Sequence, residues 1–113
     1  MLNDVTMDIV YKAMQGLSAR QKATADNIAN VETPGYKATT VDFETSLRGA
    51  IENNGINGAS FSTARSTAPN GPNDNNVSLD DETVTAIDTN LKYQTMVEAM
   101  NAKFRLLRTA MEG

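Results

Sequence analysis

The apolar residues Tyr93, Val97, Met100, Phe104, Leu107 and Met111 recur at steps of four and three. A strand would alternate every second residue, so this spacing predicts a helix with one continuous apolar seam, and such a seam needs a partner. The helix is expected to span 80–113. Just before it, Ser78-Leu79-Asp80-Asp81-Glu82 offers side-chain oxygens to free backbone N–H groups and places acids at the positive helix end. Val84, Ile87 and Leu91 lie on a second seam offset from the first, which predicts a change of packing face partway along. Lys103, Arg105 and Arg108 suit the negative C-terminal end.

The N-terminal third supplies a second helix, expected over 1–31. Val10, Met14 and Leu17, then Ala25, Ile28 and Val31, follow three- and four-residue steps, with Gln21 in the seam. Gly16 inside it costs about 1 kcal/mol relative to alanine, which points to a kink or a close contact there. The helix must stop near Val31. Pro34 disfavours helical geometry at Thr33, and Gly35 supplies the positive φ of a type II turn through Thr33-Pro34-Gly35-Tyr36. Asn27 and Asn30, one turn apart, put two amides just before that break, able to bond exposed terminal carbonyls or a neighbouring chain.

Between the helices, 52–78 is dominated by Asn, Gly, Ser, Thr and Pro, a composition that buries too little apolar surface to order itself, so this segment alone is expected to be mobile. Asn54-Gly55 and Asn57-Gly58 suit tight turns, but the flanking residues alternate too poorly to predict a hairpin. The expected fold is mainly α, a single domain over 1–113. The two long helices pack as a coiled coil around a turn and an irregular polar segment, 32–79. Each helix carries more apolar surface than one partner covers, so self-association or docking into a larger helical assembly is expected.

Several function classes drop out on composition. The chain has no histidine and no cysteine, which removes thiolate catalysis, imidazole metal ligands and any Ser-His-Asp relay. A net charge of -4 argues against nucleic acid as a partner. Asp80, Asp81 and Glu82 are explained by helix capping, and no cofactor, metal or small-molecule substrate is expected. No cationic, then apolar, leader pattern and no membrane-length apolar run is present, so leaving the cytoplasm would require another route.

One string exceeds what a helix stop requires. Asn27-Ile28-Ala29-Asn30-Val31-Glu32-Thr33-Pro34-Gly35-Tyr36-Lys37 resembles the N-terminal signature of the bacterial flagellar rod, hook and hook-associated axial proteins. Asp42-Phe43, Asn75-Asn76-Val77-Ser78-Leu79-Asp80, Leu91-Lys92-Tyr93-Gln94 and Asn101 through Ala110 resemble the proximal rod members of that family, as does the short length.

The resemblance implies a non-enzymatic structural subunit whose terminal helices assemble helically into a tube, part drive shaft and part export channel. It would sit in the periplasmic rod of the basal body, exported by the flagellar type III apparatus without a cleaved signal peptide. Its partners would be copies of itself, other rod subunits, the inner-membrane ring and the rod-adaptor and export-gate proteins. Asn27, Asn30, Thr33, Pro34, Gly35 and Tyr36 carry the assembly signature, and Val10, Met14, Leu17, Ile28, Tyr93, Val97, Met100, Phe104 and Leu107 the helix-packing interface. Phe43-Glu44-Thr45-Ser46-Leu47 resembles the Phe-x-x-x-hydrophobic motif read by the export gate; on the other reading, Phe43 and Leu47 simply share one face of a short packed helix. Another rod subunit is the alternative within the family. A non-flagellar helical-hairpin binding module would account for the periodicity and leave the signature unexplained.

Overall fold

The computed structural model describes residues 2–52 and 62–112. Helix α1 (Leu2–Ala29) leads into the Thr-Pro-Gly-Tyr turn, strand β1 (Thr39–Asp42) and helix α2 (Glu44–Glu52). Strand β2 (Ser62–Arg65), a 3-10 turn (Pro72–Asp74) and helix α3 (Leu79–Glu112) complete the chain. The pairs Asn54-Gly55 and Asn57-Gly58 lie outside the described residues.

The molecule is long and flat, 63 × 27 × 14 Å, with a radius of gyration of 17.5 Å. A compact domain of this length would have a radius near 13 Å. Its thickness is little more than one helix, and among the described residues no second layer covers the outer helix faces. The mainly α architecture with long terminal helices is the one expected from the periodicity. Helix α1 ends two residues earlier than Val31, and α3 begins at Leu79 because Ser78 caps it: the Ser78 hydroxyl accepts from the Asp81 N–H at 3.3 Å and the Ser78 carbonyl from the Glu82 N–H at 2.9 Å.

The polar segment between the helices is irregular apart from one short pairing. Residues 62–78 are largely without regular structure, as expected, but carry one short strand and a 3-10 turn. Strands β1 and β2 pair antiparallel, Thr39 opposite Arg65 and Asp42 opposite Ser62. Asn75 and Asn76 then tie the segment to the turn after α1. The Asn75 amide donates to the carbonyls of Asn30 and Thr33 at 2.9 and 2.8 Å, and the Asn76 amide donates to those of Ser66 and Ala68. The Asn76 oxygen accepts from the Ala38 N–H at 2.7 Å. These side-chain amides satisfy backbone groups that regular pairing leaves without partners in this segment.

The core is thin, formed by Ala13, Leu17, Ala23, Val41 and Phe43, with Ala19, Leu47, Tyr93 and Met96 packed against it. Helices α1 and α3 therefore run antiparallel, the end of α1 meeting the start of α3. Gly16 is the close contact, not a kink: a Cβ there would stand 2.3 Å from the Phe43 ring. Thr89 on α3 is wholly buried, and its hydroxyl has no hydrogen-bond partner among the described residues. A buried, unpaired hydroxyl is destabilising, so Thr89→Val, nearly the same shape without it, is expected to raise stability by about 1 kcal/mol in chemical denaturation.

Candidate assembly site

The signature string converges on Asn27, whose side chain is 1% exposed. Its amide nitrogen donates to the Thr39 carbonyl at 2.9 Å and to Glu82 Oε1 at 2.8 Å. Its oxygen accepts from the Thr39 N–H at 2.8 Å and from the Tyr36 hydroxyl at 3.2 Å. One amide thus joins the end of α1, the first residue of β1 and the first turn of α3. Asn30 acts locally, donating to the Asp26 carbonyl at 2.8 Å while its oxygen accepts from the Thr33 hydroxyl at 2.9 Å. Gly35 adopts φ 74°, and the Tyr36 N–H reaches the Thr33 carbonyl at 3.3 Å, which closes the type II turn that Pro34 begins. The Gly35 N–H also donates to the Asn73 carbonyl at 2.8 Å. Of the two binding roles open to Asn27 and Asn30, terminal carbonyls or a neighbouring chain, Asn30 takes the first, and Asn27 spends its amide inside the fold.

A second cluster pins α2. Arg20 grips Glu44 through both guanidinium nitrogens at 2.9 and 2.6 Å, donates to the Val41 carbonyl at 2.5 Å, and lies 4.8 Å from the centre of the Phe43 ring. A planar guanidinium suits this forked carboxylate contact, and its face suits the ring. Lys92 of α3 approaches Glu44 at 3.9 Å and pairs with Asp88 at 2.9 Å. Phe43 is buried beside Gly16, and Leu47 lies half-buried against the same core.

Two carboxylates in these clusters are shifted in opposite directions. The Arg20 hydrogen bond holds Glu44 below its ordinary value of 4.5, so its contribution to stability is present above that value and is lost as pH falls through the lower folded-state value. Burial pushes Glu82 above 4.5, outweighing the hydrogen bonds from Asn27 and Thr24 that favour its charged form. The native state therefore holds the Glu82 proton more tightly than the unfolded chain, and stability from this group is lost as pH rises through the raised value. Glu82→Gln should flatten the decline in stability above pH 4.5, and Glu44→Gln the decline below it, both read from urea midpoints across pH. A Glu82→Gln profile parallel to the wild type would contradict this assignment.

The seam residues divide. Leu17 is buried; Val10, Met14, Tyr93, Val97 and Met100 are half-buried; Ile28, Phe104 and Leu107 are exposed. The offset seam is still more open, with Val84, Ile87 and Leu91 at 67%, 59% and 59% exposure, as is the end of α3, where Leu106 and Met111 reach 64% and 87%. Sequence reasoning did not find Arg20, Glu44, Glu82, Asn75 or Asn76 as contributors. Asn75 and Asn76 carried a signal as part of the string resembling the proximal rod members, Glu82 as one of the acids at the start of α3 and Glu44 within the Phe43 to Leu47 stretch; Arg20 carried none.

The described residues thus form an elongated helical hairpin with a thin core and with apolar residues left open along α3. Residues 7–37, which end with the signature, match the family described as Flagella basal body rod protein. Along nearly its whole length the chain is similar to the flagellar basal body rod protein FlgB of Bacillus subtilis, 31% identical over 121 residues covering 96% of this chain and 94% of the relative. The FlgB protein of Aeromonas hydrophila is 30% identical over 125 residues, covering 97% and 95%, and that of Salmonella typhimurium 27% over 131 residues, covering 97% and 95%. The chain belongs to the FlgB family of flagellar basal body rod proteins, and it is a structural component of the basal body rod.

Proposed function

We propose that the chain is a subunit of the proximal rod that works without catalysis, its terminal helices packing among those of neighbouring subunits to build part of the drive shaft and of the export channel. The observation that carries this reading is the apolar surface left open on α3, on its inner seam at Phe104, Leu107 and Met111 and on its outer seam at Val84, Ile87 and Leu91. At about 25 cal/mol per Å² of apolar area, before the entropic cost of association, burying such stripes against neighbours favours assembly. Contacts of different faces that do not close on themselves propagate as a helix. Copies of the chain, other rod subunits, and the inner-membrane ring with its rod-adaptor and export-gate proteins are the proposed neighbours. Val10, Met14, Leu17, Tyr93, Val97 and Met100 serve the packing within the hairpin; Ile28, Phe104 and Leu107 serve contacts outside it. No described helix is long and apolar enough to cross a membrane.

The test is mass spectrometry of purified hook-basal bodies with the motility of a deletion strain. The chain in the particle, and rods lost on deletion, are expected; its absence from particles with normal rods would overturn the reading.

Export by the flagellar type III apparatus without a cleaved signal belongs to the same proposal. Phe43 is 5% exposed in the folded subunit, so a gate that reads Phe43 and Leu47 must read them before folding. Phe43→Leu keeps an apolar group in the core and removes the aromatic ring. Secretion should fall sharply at unchanged expression, and normal secretion would leave Phe43 and Leu47 as packing residues only.

A further inference from the structure

We propose that Asn70-Gly71 is a site of spontaneous deamidation that the folded loop 70–75 holds back, and that the reaction, once it has occurred, stops this loop from closing again. Neither part depends on the rod assignment.

The backbone does not require a glycine at position 71. It is extended there, with φ -94° and ψ -156°, and a Cβ would stand 3.4 Å from the Asn75 carbonyl oxygen, near van der Waals distance. What the glycine changes is chemistry, because no side chain shields its nitrogen from the residue before it. That nitrogen gives its proton to solvent base and bonds to the Asn70 Cγ. The side-chain nitrogen takes up a proton and leaves as ammonia. One water then opens the five-membered succinimide at either carbonyl, which yields aspartate or isoaspartate at position 70. The attack is intramolecular, so its rate is set by how often the two groups are free to meet.

In the folded chain both groups are occupied. The Gly71 N–H donates to the Asn75 carbonyl at 2.8 Å, and the Asn70 amide donates to Asp74 Oδ1 at 2.6 Å. Both residues are exposed, so water and base reach them, and hydrogen bonding rather than burial holds the reaction back. The loop is tied down from outside as well. The Gly35 N–H donates to the Asn73 carbonyl, the Lys37 ammonium donates to the Asp74 carbonyl and stands 3.5 Å from Asp74 Oδ1, and buried Asn75 holds the turn after α1. Freeing Asn70 and Gly71 together therefore requires a local opening. The product cannot restore the closed loop. A carboxylate at position 70 faces Asp74 where an amide donor stood, and the two like charges repel. Lys37 offsets part of that repulsion, so the consequence is a loosened loop, not an unfolded chain.

The test incubates the purified full chain at mildly alkaline pH, folded in buffer and unfolded in urea, and follows amide-to-acid conversion by mass spectrometry of its peptides. Asn54-Gly55 and Asn57-Gly58 carry the same residue pair and serve as references in the same digest. All three pairs should react alike in urea, and Asn70 about tenfold more slowly in buffer. Asp74→Gly suits the φ of 60° at that position and removes the acceptor, so it should speed the reaction in buffer about threefold. Equal rates at Asn70 in buffer and urea, or a rate indifferent to Asp74→Gly, would overturn the protection. For the consequence, Asn70→Asp is made in the native background and with Asp74→Asn, and hydrogen exchange is read at the Gly35 and Gly71 amides. Exchange should rise about threefold in the first and stay unchanged in the second, where an amide again faces a carboxylate. An equal rise in both, or none in either, would overturn the repulsion.

Discussion

Replacing Asn27 with alanine is expected to destabilise the subunit by about 3–4 kcal/mol, because it strips partners from several groups that cannot all reach water. The Thr39 N–H and carbonyl lose the Asn27 contact that ties them to α1, and Glu82 loses its donor at 2.8 Å, so a half-buried carboxylate is left less satisfied. A domain of this size has only about 5–15 kcal/mol to lose, so the variant should unfold at a clearly lower urea midpoint by circular dichroism. Asn27→Asp separates the hydrogen bonds from the shape. Its new oxygen faces the Thr39 carbonyl and Glu82 where a donor stood, so the loss should grow as pH rises and both carboxylates ionise. A pH-independent loss equal to that of the alanine variant would show that Asn27 acts by filling space.

Gly16→Ala should cost about 2 kcal/mol net. Alanine gains about 1 kcal/mol of helix propensity in isolation, so the expected sign is opposite to the intrinsic one. The reason is the approach of Phe43, between β1 and α2: the added Cβ would lie 2.3, 2.6 and 2.7 Å from its Cγ, Cδ1 and Cβ atoms. Contact with Phe43 Cβ means that a ring rotation alone cannot relieve the overlap, and overpacking of this kind costs about 1–3 kcal/mol before the propensity gain or more where backbone must move. Phe43→Leu in the Gly16→Ala background should be milder than the sum of the two single changes, since the smaller side chain makes room. Strict additivity in a double-mutant cycle would place the cost of Gly16→Ala elsewhere.

These two residues mark how far the sequence could be read. Asn27 stood out within a specific string, but its spacing suggested bonds to helix-end carbonyls or to another chain. Its links to β1 and to α3 join residues far apart in sequence, and no local pattern encodes them. Gly16 announced a kink or a close contact, without deciding between them or naming Phe43. The polar middle was legible as irregular chain, but not the hydrogen bonds by which Asn75 and Asn76 tie it to the turn after α1, because composition counts apolar area and does not locate side-chain amide partners.

The sequence by itself determined the two long helices, the break between them at Pro34-Gly35, and the surplus of apolar surface that demands neighbours. Those properties are local: residue spacing, φ preference and side-chain chemistry settle them without reference to distant residues. The tertiary structure alone decided that the polar segment pairs β1 with β2 and caps the turn, that Arg20 and Glu44 hold α2 in place, and that Phe43 is buried against Gly16. Each depends on groups brought together across the chain, where a hydrogen bond or a van der Waals contact exists only after the hairpin has closed.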